Sequence, residues 1–142
     1  MKKVLSIVAA LIMISVGFIS CKGTNEIEVN KLIGKWSWTS IQVFEKTQGE
    51  EHNYTYDYTE EGLYYEFLSD GKYVMTQLGE GEVDSGSWTL SKNTLTLKRR
   101  DSKENEVWTV SELTSTSMKL ESDYSGEEGM KTKYIYSFTK VK

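Results

Sequence analysis

Residues 86–97 read GSWTLSKNTLTL, and the alternation in this stretch decides the fold. Trp88 and Leu90 take every second place, Lys92 and Asn93 interrupt, and Leu95 and Leu97 resume at the same period. Successive side chains of a strand point to opposite faces, so a short turn brings Trp88 and Leu90 opposite Leu95 and Leu97 on one apolar face. The other face carries Thr, Ser and Lys. The spacing predicts a hairpin of strands 86–91 and 94–100, with one face in a core and the other in water.

The same period continues on both sides of this hairpin. Upstream, residues 35–46 read KWSWTSIQVFEK, with Trp36 and Trp38 on one face and a bulge near Ser40 that passes the alternation to Ile41 and Val43. Strand 62–68 sets Leu63, Tyr65 and Phe67 on one side, turns through Ser69-Asp70-Gly71, and pairs with strand 72–78, where Tyr73 and Met75 face alike. Downstream, strands are expected at 106–113 (Trp108, Val110), 117–123 (Met118, Leu120) and 132–141 (Tyr134, Tyr136, Phe138). Helical periodicity is confined to one turn over 26–32, with Asn25 as its N-cap. The segment 47–61 reads as a long polar loop.

Eight strands joined in sequence by short hairpins, each with one apolar face, are satisfied by an all-β meander that closes on itself and leaves no edge open. A two-sheet sandwich is the rival, but Greek-key sandwiches need long crossovers that these short connections do not supply. The expected architecture is an eight-stranded antiparallel up-and-down barrel over residues 32–142.

Several motifs carry a resemblance. Gly34-Lys35-Trp36 after a helical turn looks like the G-x-W signature of lipocalins, in which the Trp closes the bottom of the barrel. With YEFLSDGKY (65–73), GSWTLSKNTLTL (86–97), LTSTSMKL (113–120) and YIYSFTK (134–140), the chain resembles the lipocalin-like lipoproteins common in Bacteroidetes. The resemblance implies a barrel that carries a small apolar or amphipathic ligand at its open end. The candidate ligand-binding or interior residues are Trp38, Tyr65, Phe67, Tyr73, Met75, Trp88, Trp108 and Tyr136. Strands shorter than those of the usual lipocalin imply a shallower interior.

Composition excludes other classes. Of 142 residues 38% are hydrophobic and 12% aromatic, too many for a disordered chain. The net charge is -4 with basic residues scattered among acidic ones, so no stripe follows a nucleic-acid backbone. A single cysteine, Cys21, makes no internal disulfide, and a single histidine, His52, builds no His/Cys metal site or nucleophilic triad. No cofactor is expected, and no enzyme. Without disulfide or metal, burial and backbone hydrogen bonds hold the fold.

The N-terminus is of another kind. Lys2 and Lys3 precede the uncharged run VLSIVAALIMISV (4–16), the charged and apolar regions of a secretory signal. The run is shorter than the ~20 apolar residues a stable transmembrane helix needs. Phe18-Ile19-Ser20-Cys21 resembles a bacterial lipobox, with Phe18 in place of the usual Leu. That resemblance implies a signal peptide over 1–20, cleavage before Cys21, lipid on its thiol and amine, and a tether with a short helical turn over 21–31. Several acyl chains anchor a protein durably where one does not. Lys22 after the cysteine favours the periplasmic face of the outer membrane.

Two further clusters draw notice. Glu80, Glu82 and Asp84 alternate, which on an extended segment sets three carboxylates on one face as a weak calcium site, although solvated acidic loops are the commoner outcome. Tyr54, Tyr56 and Tyr58 exceed what the core needs; near a barrel mouth they stack on a ligand or meet a protein partner, or they mark by their β-propensity an exposed continuation of a strand. Function therefore divides between a lipid-anchored carrier and an accessory protein whose barrel is filled by side chains and whose 47–61 segment contacts a partner.

Overall fold

The computed structural model describes residues 28–126 and 129–142; the segment 1–20, Cys21 and Asn25 lie outside them. One helical turn, α1 (Val29–Leu32), precedes nine strands: β1 (Gly34–Thr47), β2 (Glu50–Asp57), β3 (Leu63–Phe67), β4 (Lys72–Gln77), β5 (Gly81–Ser91), β6 (Thr94–Arg99), β7 (Asn105–Leu113), β8 (Ser117–Ser125) and β9 (Lys131–Lys140). From β3 to β9 each strand pairs with the next, all antiparallel, and β1 pairs with both β3 and β9. Those eight strands close the barrel. The hairpin at 86–97 pairs Trp88 with Leu97 and Leu90 with Leu95, as its alternation requires.

β1 is long enough to serve two neighbours on one edge. Its first residues, Gly34 to Ser37, pair with β3, while Ser40 to Thr47 pair with β2. Thr39 is the bulge between these halves, where the register against β9 slips between Trp38 and Ser40. The extra residue lets Trp38 and, after it, Ile41 and Val43 share the inner face.

The lower end is sealed. Trp36 is fully buried and its indole Nε1 donates to the Leu32 carbonyl at 2.8 Å. Lys140 Nζ lies 5.0 Å from the Trp36 ring centroid and donates to the carbonyls of Lys31 and Ile33, satisfying the end of α1. Gly34 has φ +128°, a conformation that favours glycine at the first residue of the G-K-W motif, and a Cβ there would lie 2.8 Å from Lys140 Cε and push aside the lysine that closes the plug. Above this plug Phe67, Tyr73, Trp88, Leu95, Leu97, Val110, Met118, Leu120 and Phe138 form the core.

Four expectations change. The segment 47–61 is not a loop: it turns at Gln48 and Gly49, both at positive φ, and returns as β2, followed by a 3-10 turn (Thr59–Glu61). Tyr and Thr at alternate places favour a strand there, and the Gln-Gly turn lacks the Asn-Gly or Asp-Gly signature that would mark it. The barrel is closed but the sheet is not free of edges, because the outer side of β2 pairs with nothing among the described residues. The helical turn is shorter than 26–32 and has Glu28 at its N-cap position, making no side-chain cap bond. The three carboxylates at 80–84 do not share a face. Glu80 lies in the turn, and Val83 is a bulge that sets Glu82 opposite Thr76 outside and Asp84 opposite Met75 inside.

Candidate ligand-binding site

The upper end of the barrel is asymmetric. β1 and β2 rise with β8 and β9 into a wall, while the β4–β5 and β6–β7 connections stay low. Register sets Tyr56 opposite Ile41 and Tyr54 opposite Val43, and these opposite Tyr136 and Tyr134, so the inner face of the wall carries a tyrosine surface. Ile41 and Val43 are buried within it; Tyr54 and Tyr56 are exposed. Tyr58, at the end of β2, stacks on Trp38 with centroids 4.7 Å apart and planes 10° from parallel.

Below the wall lies a floor of rings. Trp108 and Tyr136 stack at 4.8 Å with planes 7° apart, and Tyr65 reaches across the lumen to contact Trp108 at 6.2 Å and Phe138 at 5.8 Å. These contacts join strands on opposite sides of the barrel, so its lower half is filled by side chains. What remains above is a shallow cup. Two clefts of about 450 and 610 Å³ lie outside it: one at the tips of the β1–β2 and β8–β9 hairpins beside Phe44 and Tyr124, the other beside Lys72 and Arg100.

The eight residues expected inside thus divide by depth. Tyr65, Phe67, Tyr73 and Trp88 are buried in the core, whereas Trp38, Met75, Trp108 and Tyr136 face inward yet are only half-buried, open to the mouth. An inward ring that still meets solvent marks the accessible part of the lumen.

Opposite the tyrosine wall, β5, β6 and β7 contribute charge. Arg99 Nε lies 3.2 Å from Asp84 Oδ2 and Arg99 Nη1 3.9 Å from Glu106 Oε1. Tyr73 Oη donates to Asp84 Oδ2 at 3.0 Å. Burial raises the pKa of Tyr65, with Glu106 next in effect and Tyr73 and Asp84 adding to it. Tyr73 is raised by burial and by its bond to Asp84, so both phenols stay neutral. Burial also raises Glu106, which Arg99 offsets only in part. Asp84, Arg99 and Glu106 were legible by parity alone: they continue the inward series of Trp88 and Gly86, of Leu95 and Leu97, and of Val110 and Trp108. Asp84 was read instead with Glu80 and Glu82 as one carboxylate face, and reading only the apolar members of each series passed over Arg99 and Glu106.

Among the described residues no group of three or more His, Cys, Asp or Glu can hold a metal ion, and no catalytic constellation forms. His52 lies exposed on β2, 3.6 Å from Glu50 and stacked on Tyr54. No helix among the described residues is long and apolar enough to cross a membrane. The arrangement is that of a lipocalin-like barrel suited to ligand binding.

Comparison with known proteins agrees with this geometry. Residues 32–120 match the model of the family described as "Lipocalin-like domain". Among solved structures, lobster apocrustacyanin A1 superposes with a TM-score of 0.52 at 12% identity, covering 80% of this chain and 63% of its own. Apocrustacyanin C2 gives 0.52 at 14% identity, covering 79% and 62%. At such identity the likeness is one of fold, and this chain spans less than two thirds of those two proteins. A search of curated proteins found no match.

Proposed function

We propose that this chain, which belongs to the family of lipocalin-like domains, is a lipid-anchored protein of the cell envelope that holds a small apolar or amphipathic molecule at the open end of its barrel. The observation that carries the reading is the contrast between the two ends. Trp36, Leu32 and Lys140 seal the lower one, while Trp38, Trp108 and Tyr136 face the lumen half-exposed at the upper. Rings left accessible on a concave surface recover free energy when an apolar ligand covers them.

Solvent extraction of the protein purified without its anchor, followed by mass spectrometry, tests this directly. A small molecule at one equivalent is the expected result; nothing stoichiometric, together with no binding of an added naphthalene probe, would refute carriage.

The anchor is the second half of the proposal. Phe18-Ile19-Ser20-Cys21 follows a positively charged start and an apolar run, and the outer membrane, periplasmic face, is the location that Lys22 favours. Cys21→Ala is expected to abolish incorporation of labelled palmitate and to release the protein from the membrane fraction. Labelling that persists in the variant contradicts anchoring at this residue.

One observation favours an accessory role instead. Among the described residues β2 carries a free edge, with Tyr54 and Tyr56 exposed, an arrangement by which an extended partner segment adds to a sheet. In that reading the 47–61 hairpin makes the contact and the cup stays empty.

A further inference from the structure

Resting on the proposed anchor at Cys21, we infer that the closed end of the barrel is a docking face for an anionic phospholipid surface, and that the mouth opens away from the bilayer. Reach gives the first argument. The described chain starts at Glu28, the residue before α1, and Trp36 and Lys140 hold α1 under the plug. Seven peptide steps separate Cys21 from Glu28, and however they are arranged they span at most about 25 Å. β1 has 14 residues and runs from the plug to the top of the upper wall; at about 3.3 Å per residue and a tilt of about 35–45° it rises about 30–35 Å. A mouth pressed to the bilayer would hold Glu28 beyond the reach of its own anchor.

Charge decides between a barrel that stands and one that lies on its side. Over the closed end (residues 28–35, 66–72, 91–94, 112–119 and 139–141) six lysines stand against four carboxylates, a net charge of +2. Over the open end (45–51, 78–84, 98–106, 121–125 and 129–133) seven basic side chains stand against eleven acidic ones, a net charge of -4. Three of the four closed-end carboxylates are already held in ion pairs, by Lys31, Lys72 and Lys119. Lys35 and Lys92 are exposed and, among the described residues, form no ion pair; Lys92 occupies the tip of the β5–β6 turn. Val29 and Val141, both exposed, add apolar surface at the same end. The Debye length is about 8–10 Å, so the end nearest a membrane is the one that feels its charge. Lysines with apolar side chains among them suit the headgroup region of anionic lipid, whereas the carboxylates around the mouth are repelled by it. The upright pose satisfies the anchor, the lysines and the carboxylates together. In that pose the cup opens to the aqueous side, and its ligand enters from solution or from a protein donor, not laterally from the bilayer that holds the anchor.

The full processed chain, reconstituted by its anchor into phosphatidylcholine vesicles with about one third phosphatidylglycerol, reads the pose directly. A bimane label is attached at the closed end in Ser115→Cys or at the open end in Ser125→Cys, both exposed positions, and a nitroxide on the lipid headgroup quenches it at short range. Quenching in Ser115→Cys is expected to exceed that in Ser125→Cys at least about threefold. On vesicles of phosphatidylcholine alone, and in Ser115→Cys carrying Lys35→Gln and Lys92→Gln on the anionic vesicles, closed-end quenching is expected to fall about twofold or more. The phosphatidylcholine arm needs no further variant to fold. Equal quenching of the two labels, or stronger quenching in Ser125→Cys, overturns the docking face while the anchor stands. Closed-end quenching that is unmoved both by removing phosphatidylglycerol and by removing the two lysines overturns recognition of anionic lipid. The wild type is the control for the anchor: an acylated Cys21 takes up no bimane, and wild-type protein that is labelled there and stays out of the vesicle fraction overturns both readings.

Discussion

Trp36→Ala is expected to destabilise the domain by about 3–5 kcal/mol, the usual cost of removing a large aromatic side chain from a packed core. Several features put it at the upper end. Trp36 is fully buried, its indole N–H satisfies the Leu32 carbonyl, and its ring seats the Lys140 ammonium that satisfies the carbonyls of Lys31 in α1 and of Ile33 just after it. Losing the ring removes the floor of the barrel and loosens the helical turn and the C-terminal end of β9 together. Domains of this kind hold about 5–15 kcal/mol in total, so the variant is expected to be partly unfolded near body temperature. Trp36→Phe separates the contributions: it keeps most of the apolar contact and costs about 1–3 kcal/mol for the orphaned Leu32 carbonyl. Urea midpoints compare the two. An alanine variant within about 1 kcal/mol of wild type would mean that the plug does not hold the fold.

The second large effect concerns binding. Ser122 lies on β8 two residues beyond Leu120 and pairs with Tyr134, which sets its small side chain on the inner face of the mouth. Ser122→Trp fills the cup from its own wall. Overpacking within a sealed core costs about 1–3 kcal/mol because neighbours cannot move, but at an open mouth the added ring displaces water instead. The variant is therefore expected to keep its urea midpoint and to bind 2-naphthylmethanol at least about tenfold more weakly, a loss of about 1.4 kcal/mol. Unchanged affinity in a folded Ser122→Trp protein would put the ligand elsewhere, with the outer cleft beside Phe44 and Tyr124 the first place to look.

Much of this was legible in the sequence, and for a definite reason. Period-two alternation reports which face of a strand is buried, and the short connections leave few topologies open. The bulge near Ser40 was visible because the apolar set changes parity between Trp38 and Ile41, and the structure sets it at Thr39. A bulge in a polar stretch leaves no such trace. Val83 lies among glutamates, so the split of Glu82 from Asp84 emerged only from pairing with β4. β2 was hidden likewise: every residue in it is exposed, and nothing but Tyr and Thr at alternate places marks it as a strand.

The pairing of Asp84 with Arg99 and Glu106 in the charged wall was missed for a related reason. Asp84, Arg99 and Glu106 sit at inward positions of strands whose apolar residues were read correctly, but a polar residue there carries meaning only when its neighbours across the barrel are known. Asp84 became informative once Arg99 and the Tyr73 hydroxyl proved to be its partners. Such facts depend on three-dimensional distance, which alternation does not encode.

The four indole N–H resonances provide the most direct test of the open-ended cup. Trp36 and Trp88 are buried toward the closed half, bonded to the carbonyls of Leu32 and Leu68; Trp38 and Trp108 are half-exposed at the mouth. On titration with 2-naphthylmethanol the Trp38 and Trp108 signals are expected to shift saturably while those of Trp36 and Trp88 stay in place. A titration that leaves all four indoles unmoved, or moves only residues of the 47–61 hairpin, would contradict a ligand site in the barrel.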